Sequence, residues 1–181
     1  MEKFKRINRE VMYDGVKLNF CRDTLITPSG DQIYFDHIEH PGAAAVLPVL
    51  DDGRIVMVTQ YRNAVERFTL EIPAGGREPG EDLFEVAKRE LEEETGFKSD
   101  NLEYLMSINT EIAFCDEVIE VYVAKDLKAS HQNLDEDEFI DVSFWELDDL
   151  IAKIYAGEIK DCKTSAALLA YKNKYCQGSD L

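Results

Sequence analysis

A carboxylate aimed into a hydrophobic core is expensive to fold, and residues 75–97, GGREPGEDLFEVAKRELEEETGF, offer two at once. Successive residues of an α-helix turn by about 100°, so with Leu83 at the origin Val86, Ala87 and Leu91 fall within about 80° of it. Glu90 and Glu94 fall within about 20° of the same line, where core side chains belong, and Glu93 lies on its edge. Like charges at i and i+4 repel. An unpartnered buried carboxylate costs several kcal/mol. A sequence that accepts this cost has a cation to offset it, which makes the helix a candidate metal platform. Gly96 ends the pattern, at a position where a left-handed residue closes a helix.

The length of 181 residues suits one full core better than two. With 45% hydrophobic and 10% aromatic residues the chain reads as globular rather than disordered. Lysine and arginine number 20 against 37 acids, a formal charge of -17. That balance argues against nucleic-acid binding, which needs a basic footprint. Cys21, Cys115, Cys162 and Cys176 stand far apart without a CxxC pair, so they resemble neither a zinc site nor a disulfide framework. The opening MEKFKRINRE lacks an apolar signal core, and no run approaches the roughly 20 apolar residues of a membrane span. Reduced thiols and these absences give the expectation of a soluble, cytoplasmic protein with no membrane partner.

Period-two patterning and turn residues place strands at 16–27 and 32–39 around a turn at 28–31. Further strands are expected at 43–50 and 54–60, joined as a hairpin by Asp51-Asp52-Gly53. Others follow at 69–72, 102–109, 117–124 and 139–145. The helix of residues 81–96 is followed by two more at 147–156 and 163–175. Strands mixed with three helices predict a sheet covered by helices. Neither a GxxxxGK[ST] loop nor a GxGxxG after a strand occurs, so P-loop and Rossmann chemistry have no support.

Gly75, Glu81, Arg89-Glu90-Leu91, Glu93-Glu94 and Gly96-Phe97 occupy all nine specified positions of a pattern that resembles the Nudix box. The resemblance implies a Nudix α/β/α sandwich of the α+β class, with a mixed central sheet and an additional N-terminal antiparallel β unit. It implies metal ligation by Glu90 and Glu94, often with Glu93, and by the backbone carbonyl of Ala74. The expected ion is Mg²⁺, with Mn²⁺ as a possible substitute; hard carboxylate oxygens suit either. Arg89 is expected to orient Glu93 by an ion pair. Glu81 is read as structural or as a support to the ligands, like Gly75, Arg89 and Gly96.

Outside the box, residues 40–44 (HPGAA), 60–62 (QYR), 70–75 (LEIPAG), 115–118 (CDEV) and 134–139 (LDEDEF) resemble bacterial ADP-ribose pyrophosphatases. That resemblance assigns Glu136 as general base, alongside Glu93 in the catalytic set, and Glu138 as a further metal ligand. Arg62 would contact substrate phosphates and Glu117 the substrate. Residues 1–40 would form a strand region that crosses to a second copy in a homodimer, with 41–181 as the hydrolase domain. The implied reaction is Mg²⁺-dependent hydrolysis of the pyrophosphate bond of ADP-ribose or a related nucleoside diphosphate sugar. GDP-mannose, UDP-glucose or a coenzyme derivative are alternative substrates. A non-catalytic nucleotide-sugar sensor is a further alternative, disfavoured because every box glutamate is present. One departure bears on substrate: Ile112 stands where the family's ADP-ribose enzymes usually carry proline, which locks a loop by fixing φ. Phe114 beside it could stack on a base or fill the core.

Overall fold

The computed structural model describes residues 1–136 and 138–176. In order, the described chain forms β1 (Lys5–Asp14), β2 (Asn19–Ile26), β3 (Gln32–Glu39), β4 (Ala43–Pro48), β5 (Ile55–Arg62), β6 (Arg67–Glu71) and β7 (Ala74–Gly76). Then come α1 (Leu83–Thr95), β8 (Phe97–Lys98), β9 (Asn101–Asn109), β10 (Val118–Lys125), β11 (Lys128–Ala129), β12 (Ile140–Trp145), α2 (Leu147–Tyr155) and α3 (Cys162–Tyr175). Contacts divide these into two units. One holds Met1–Gly42 and Asn109–Val118; the other holds Ala43–Ile108 and the chain from Ile119 onward.

In the first unit β1, β2 and β3 form an antiparallel sheet in that order. Strand β1 is not among the elements that the sequence patterning predicts. Nine of its ten residues are exposed, so the apolar alternation that signals a half-buried strand is missing. On β2, Cys21 and Asp23 point to a buried face two residues apart. Arg9 grips Asp23 through two nitrogens at 2.7 and 2.8 Å and reaches Glu39 at 3.2 Å, tying three strands together.

The second unit is built on two larger sheets, β7-β4-β10-β9 and β12-β5-β6, and also holds a two-stranded pair, β11-β8. Strands β4 and β10 run parallel, while β7 is antiparallel to β4. Every residue of β4 is buried, which explains its unbroken apolar sequence. Its alternate residues face different layers. Ala44 and Val46 pack with Val86, Ala87 and Leu91 of α1. Ala43, Ala45 and Leu47 join the larger core with Ile55, Met57, Leu150 and Leu168, which brings in β5, α2 and α3. Helices therefore cover the strands on both sides, in the mixed α+β arrangement expected. The Asp51-Asp52-Gly53 turn forms, but it passes the chain from one sheet to the other. A single bridge, Val49–Ile55, links its arms, because β4 and β5 each take other neighbours.

Helix α1 starts two residues later than its expected edge. Asp82 caps it by accepting from the Phe84 amide at 2.9 Å, and Gly96 ends it at φ 70°. Among the described residues no helix is long and apolar enough to cross a membrane.

Candidate metal and diphosphate site

The glutamates of α1 lie where the helical wheel places them. Glu90 is 8% and Glu94 3% exposed, beside Val86, Ala87 and Leu91 with none. The loop of β7 closes over them. The Ala74 amide donates to Glu94 Oε2 at 3.0 Å. Gly75 lies against Glu90 so closely that a Cβ there would collide with the carboxylate. Burial pushes the Glu90 carboxyl up to about 7, with Glu93 and Glu138 adding to the rise and Arg89 opposing it. Burial and then the neighbouring Glu90 push Glu94 up to about 8. Glu138 raises both groups, so its charge falls within reach of the pair.

This donor set suits a hard divalent cation: carboxylate oxygens, closely spaced, buried and short of positive charge. Among the described residues no three histidine, cysteine or carboxylate groups already stand in ligand geometry. The cation that faces Glu90 is the Arg89 guanidinium, at 2.6 Å. Arg89 is a hub rather than a partner of Glu93 alone. It holds Glu93 at 3.0 Å and Glu81 through Nε and Nη2 at 3.0 and 3.1 Å. It also donates to the Gly76 carbonyl at 3.2 Å. The Arg89 hydrogen bonds hold the Glu81 carboxyl below the usual range. Glu85, one turn before Arg89 on the same helix, pairs with Lys88.

Arg62, at the end of β5, is already engaged. Its Nε and Nη2 clamp the two oxygens of Glu71 at 2.8 and 2.7 Å. Glu71 is 2% exposed and also accepts from Thr69 Oγ1 at 2.6 Å and Lys163 Nζ at 2.5 Å. Burial alone would raise the Glu71 carboxyl, but Arg62 and Lys163 outweigh it and hold it at about 2. Glu94 and Arg62 each feel the other's charge, which sets the clamp near the α1 carboxylates. Sequence reading missed Glu71 and Lys163. The available signal was an acid between Leu70 and Ile72 in an otherwise apolar strand.

The segment leading to Glu136 is stitched to the C-terminal end of α1, where helix carbonyls lack intrahelical partners. The Ser130 amide donates to the Gly96 carbonyl at 2.7 Å and the Asn133 amide to that of Glu93 at 3.0 Å. Gln132 Nε2 reaches the Glu94 carbonyl at 2.7 Å. Glu138 Oε2 accepts from the Asp135 amide at 3.2 Å. Glu136 is exposed. Asp137, within the acidic segment read from sequence, lies outside the described residues.

Glu117 belongs to the first unit. It accepts from Thr110 Oγ1 at 2.6 Å and meets His40 Nε2 at 3.2 Å. The Gly42 amide donates to His40 Nδ1 at 3.0 Å, leaving Nε2 as the donor to Glu117. Ile112 is 83% exposed, and Phe114 is exposed too, so Phe114 does not fill the core.

The NUDIX domain matches residues 39–164. A methanol dehydrogenase activator of Bacillus methanolicus is 41% identical over 91% of this chain and 90% of its own. An ADP-ribose pyrophosphatase of Bacillus subtilis (strain 168) is 37% identical over the same shares. An ADP-ribose pyrophosphatase of Mycobacterium tuberculosis is 30% identical over 92% of this chain and 82% of its own. The crystal structure of an ADP compounds hydrolase superposes with a TM-score of 0.83 over 96% of this chain and 94% of that one, at 22% identity. The fold follows that structure, Glu90 and Glu94 of the box are buried on the helix beneath the glycine loop, and the domain match spans most of the sequence: this chain belongs to the Nudix family of hydrolases.

Proposed function

We propose that the chain hydrolyses the pyrophosphate bond of ADP-ribose or a related nucleoside diphosphate sugar, releasing a nucleoside monophosphate and a sugar phosphate. The observation that carries the reading is the pair Glu90 and Glu94, buried side by side under a glycine loop with too little positive charge to balance them. The Bacillus subtilis and Mycobacterium tuberculosis relatives support the choice of substrate.

Glu90, Glu94, Glu138 and the Ala74 carbonyl would hold Mg²⁺, or Mn²⁺ in its place. A divalent cation bound there supplies charge neutralisation on the phosphoryl oxygens and a more acidic water. The protein's own groups do the rest. Arg62 presents a guanidinium edge to a substrate phosphate. Arg89, gripped by Glu81, keeps Glu93 and Glu90 from swinging apart. Glu136 accepts the proton of the water that attacks phosphorus in line, with Glu93 as the second acid of the reacting set. Glu117 is a further substrate contact. Gly75 and Gly96 serve structure, one by close approach to Glu90 and the other by its left-handed turn.

Residues 1–40 are read as the dimer-forming region and 41–181 as the hydrolase domain. Exposed apolar side chains on the N-terminal strands, among them Val11, Tyr13, Tyr34 and Phe35, support that reading. Sedimentation of the full chain as a monomer at micromolar concentration would refute it. A cytoplasmic location fits the four free thiols.

The decisive assay is a panel of nucleoside diphosphate sugars with Mg²⁺, following monophosphate release. Preference for ADP-ribose supports the reading and makes Ile112 a tolerated departure. Preference for GDP-mannose or UDP-glucose transfers the mechanism to another pocket. A second reading, action as an activator of another enzyme, rests on the Bacillus methanolicus relative. It is favoured if none of the free sugar nucleotides is turned over while the chain still binds Mg²⁺.

A further inference from the structure

Arg62 is held before any substrate arrives, and the group that holds it is itself held from the other end of the chain. Glu71 lies next to the loop of β7; Lys163 lies in the first turn of α3, 92 residues on. Lys163 is 7% exposed and its ammonium bridges Glu71 Oε2 at 2.5 Å and Asp161 Oδ2 at 3.0 Å. Asp161 caps α3 by accepting from the Thr164 amide at 3.0 Å and Thr164 Oγ1 at 2.5 Å. Thr164 Oγ1 in turn accepts from the Ile72 amide at 3.0 Å. Two contacts thus fasten α3 to consecutive residues, the last of β6 and the one after it, on the way to the metal loop.

The charge arithmetic gives this arrangement a purpose beyond packing. A lone bidentate Arg62–Glu71 pair would be neutral, and a neutralised guanidinium has little pull on a phosphate. Lys163 adds a second cation to Glu71. The opposing charge of Asp161 is taken up by the N-terminus of α3, whose dipole favours an anion. Arg62 keeps a 42% exposed side chain, and its Nη1 makes none of the bonds to Glu71. The clamp therefore fixes the plane of the guanidinium while leaving one edge free.

We propose that Lys163 is the positioning residue of the phosphate contact: by locking Glu71 and offsetting its charge, it presents the free edge of Arg62 to the diphosphate. This rests on the reading that Arg62 binds a substrate phosphate, and the test separates the two. Steady-state kinetics of the full chain are measured for Lys163→Met, Lys163→Arg, Arg62→Ala and the double variant Arg62→Ala/Lys163→Met. The substrate is the sugar nucleotide turned over fastest in the panel, ADP-ribose by the reading above. Lys163→Met is expected to raise KM roughly tenfold or more with a smaller change in kcat, the mark of lost binding shared by ground and transition states. The Mg²⁺ concentration for half-maximal activity should stay within about twofold, since no metal ligand is touched. Lys163→Arg, which keeps the charge, should recover much of the loss. The double variant should be no worse than Arg62→Ala, since both act through one contact.

If Arg62→Ala raises KM and Lys163→Met does not, the positioning role is overturned while the phosphate contact stands. If Arg62→Ala leaves KM unchanged, the phosphate contact itself is wrong and the proposal falls with it. Should Lys163→Met fail to fold, Lys163→Gln keeps a hydrogen-bond donor for Glu71 without the cation and carries the same test. A raised KM there supports the proposal, and an unchanged KM overturns it.

Discussion

Replacing Glu94 by glutamine should destroy the enzyme and stabilise the metal-free fold, and the two effects should separate with pH. The folded Glu94 carboxyl titrates at about 8 instead of the ordinary 4.5. A folded-state value above the unfolded one means stability is whole below 4.5, drains as pH rises, and is gone above about 8. At about 1.4 kcal/mol per tenfold the difference amounts to roughly 5 kcal/mol. Glu90 carries part of the same repulsion, and the glutamine side chain keeps an acceptor for the Ala74 amide. Sharing the penalty between the two sites reduces the expected gain to about 2–3 kcal/mol at pH 9 without metal. For a chain of this size that is a rise in Tm of roughly 5–10 °C. Near pH 5 the difference should shrink to about 1 kcal/mol or less, because the wild-type carboxyl is then protonated in the fold. Thermal unfolding in EDTA at both pH values, with turnover measured in Mg²⁺, makes the comparison. Added Mg²⁺ should raise the Tm of the wild type at pH 9 and leave the variant nearly unmoved. A Glu94→Gln protein that melts at or below the wild-type temperature at pH 9 would refute the reasoning: the carboxylates would then carry no burial cost for a metal to relieve.

Two further substitutions probe the same site. Glu136→Gln should lower kcat by on the order of 10²-fold or more while leaving Tm unchanged, as expected for an exposed general base. An unaltered kcat would move the base to Glu93 or Glu138. Gly75→Ala should cost about 1–3 kcal/mol in chemical denaturation and most of the activity, because the new methyl group must displace the Glu90 carboxylate. A variant of normal stability and activity would mean that the loop and helix are not locked together.

What the sequence revealed and what it hid follow from the range of each interaction. The helix of Glu90 and Glu94 was legible because burial, capping by Gly96 and acid spacing all fall within one segment and follow the 3.6-residue repeat. Strands β4 and β10 announced themselves by apolar content, but which sheet each joined depended on partners far along the chain. Strand β1 stayed hidden since almost none of its side chains is buried. Arg62 was recognisable as a candidate phosphate ligand by resemblance, yet its grip on Glu71 and the support from Lys163 were not. No local pattern couples an acid on one strand to a lysine 92 residues later.

That separation also orders events in time. Synthesis runs from the N-terminus, so β5, β6 and the whole of α1 exist before the first turn of α3 has been made. Until residue 163 emerges, Glu71 has one cation instead of two and the Ile72 amide lacks its hydroxyl partner. A nascent chain therefore carries Glu90 and Glu94 before Glu71 has its second cation, and the last helix is the element that completes both the core and the hold on Arg62.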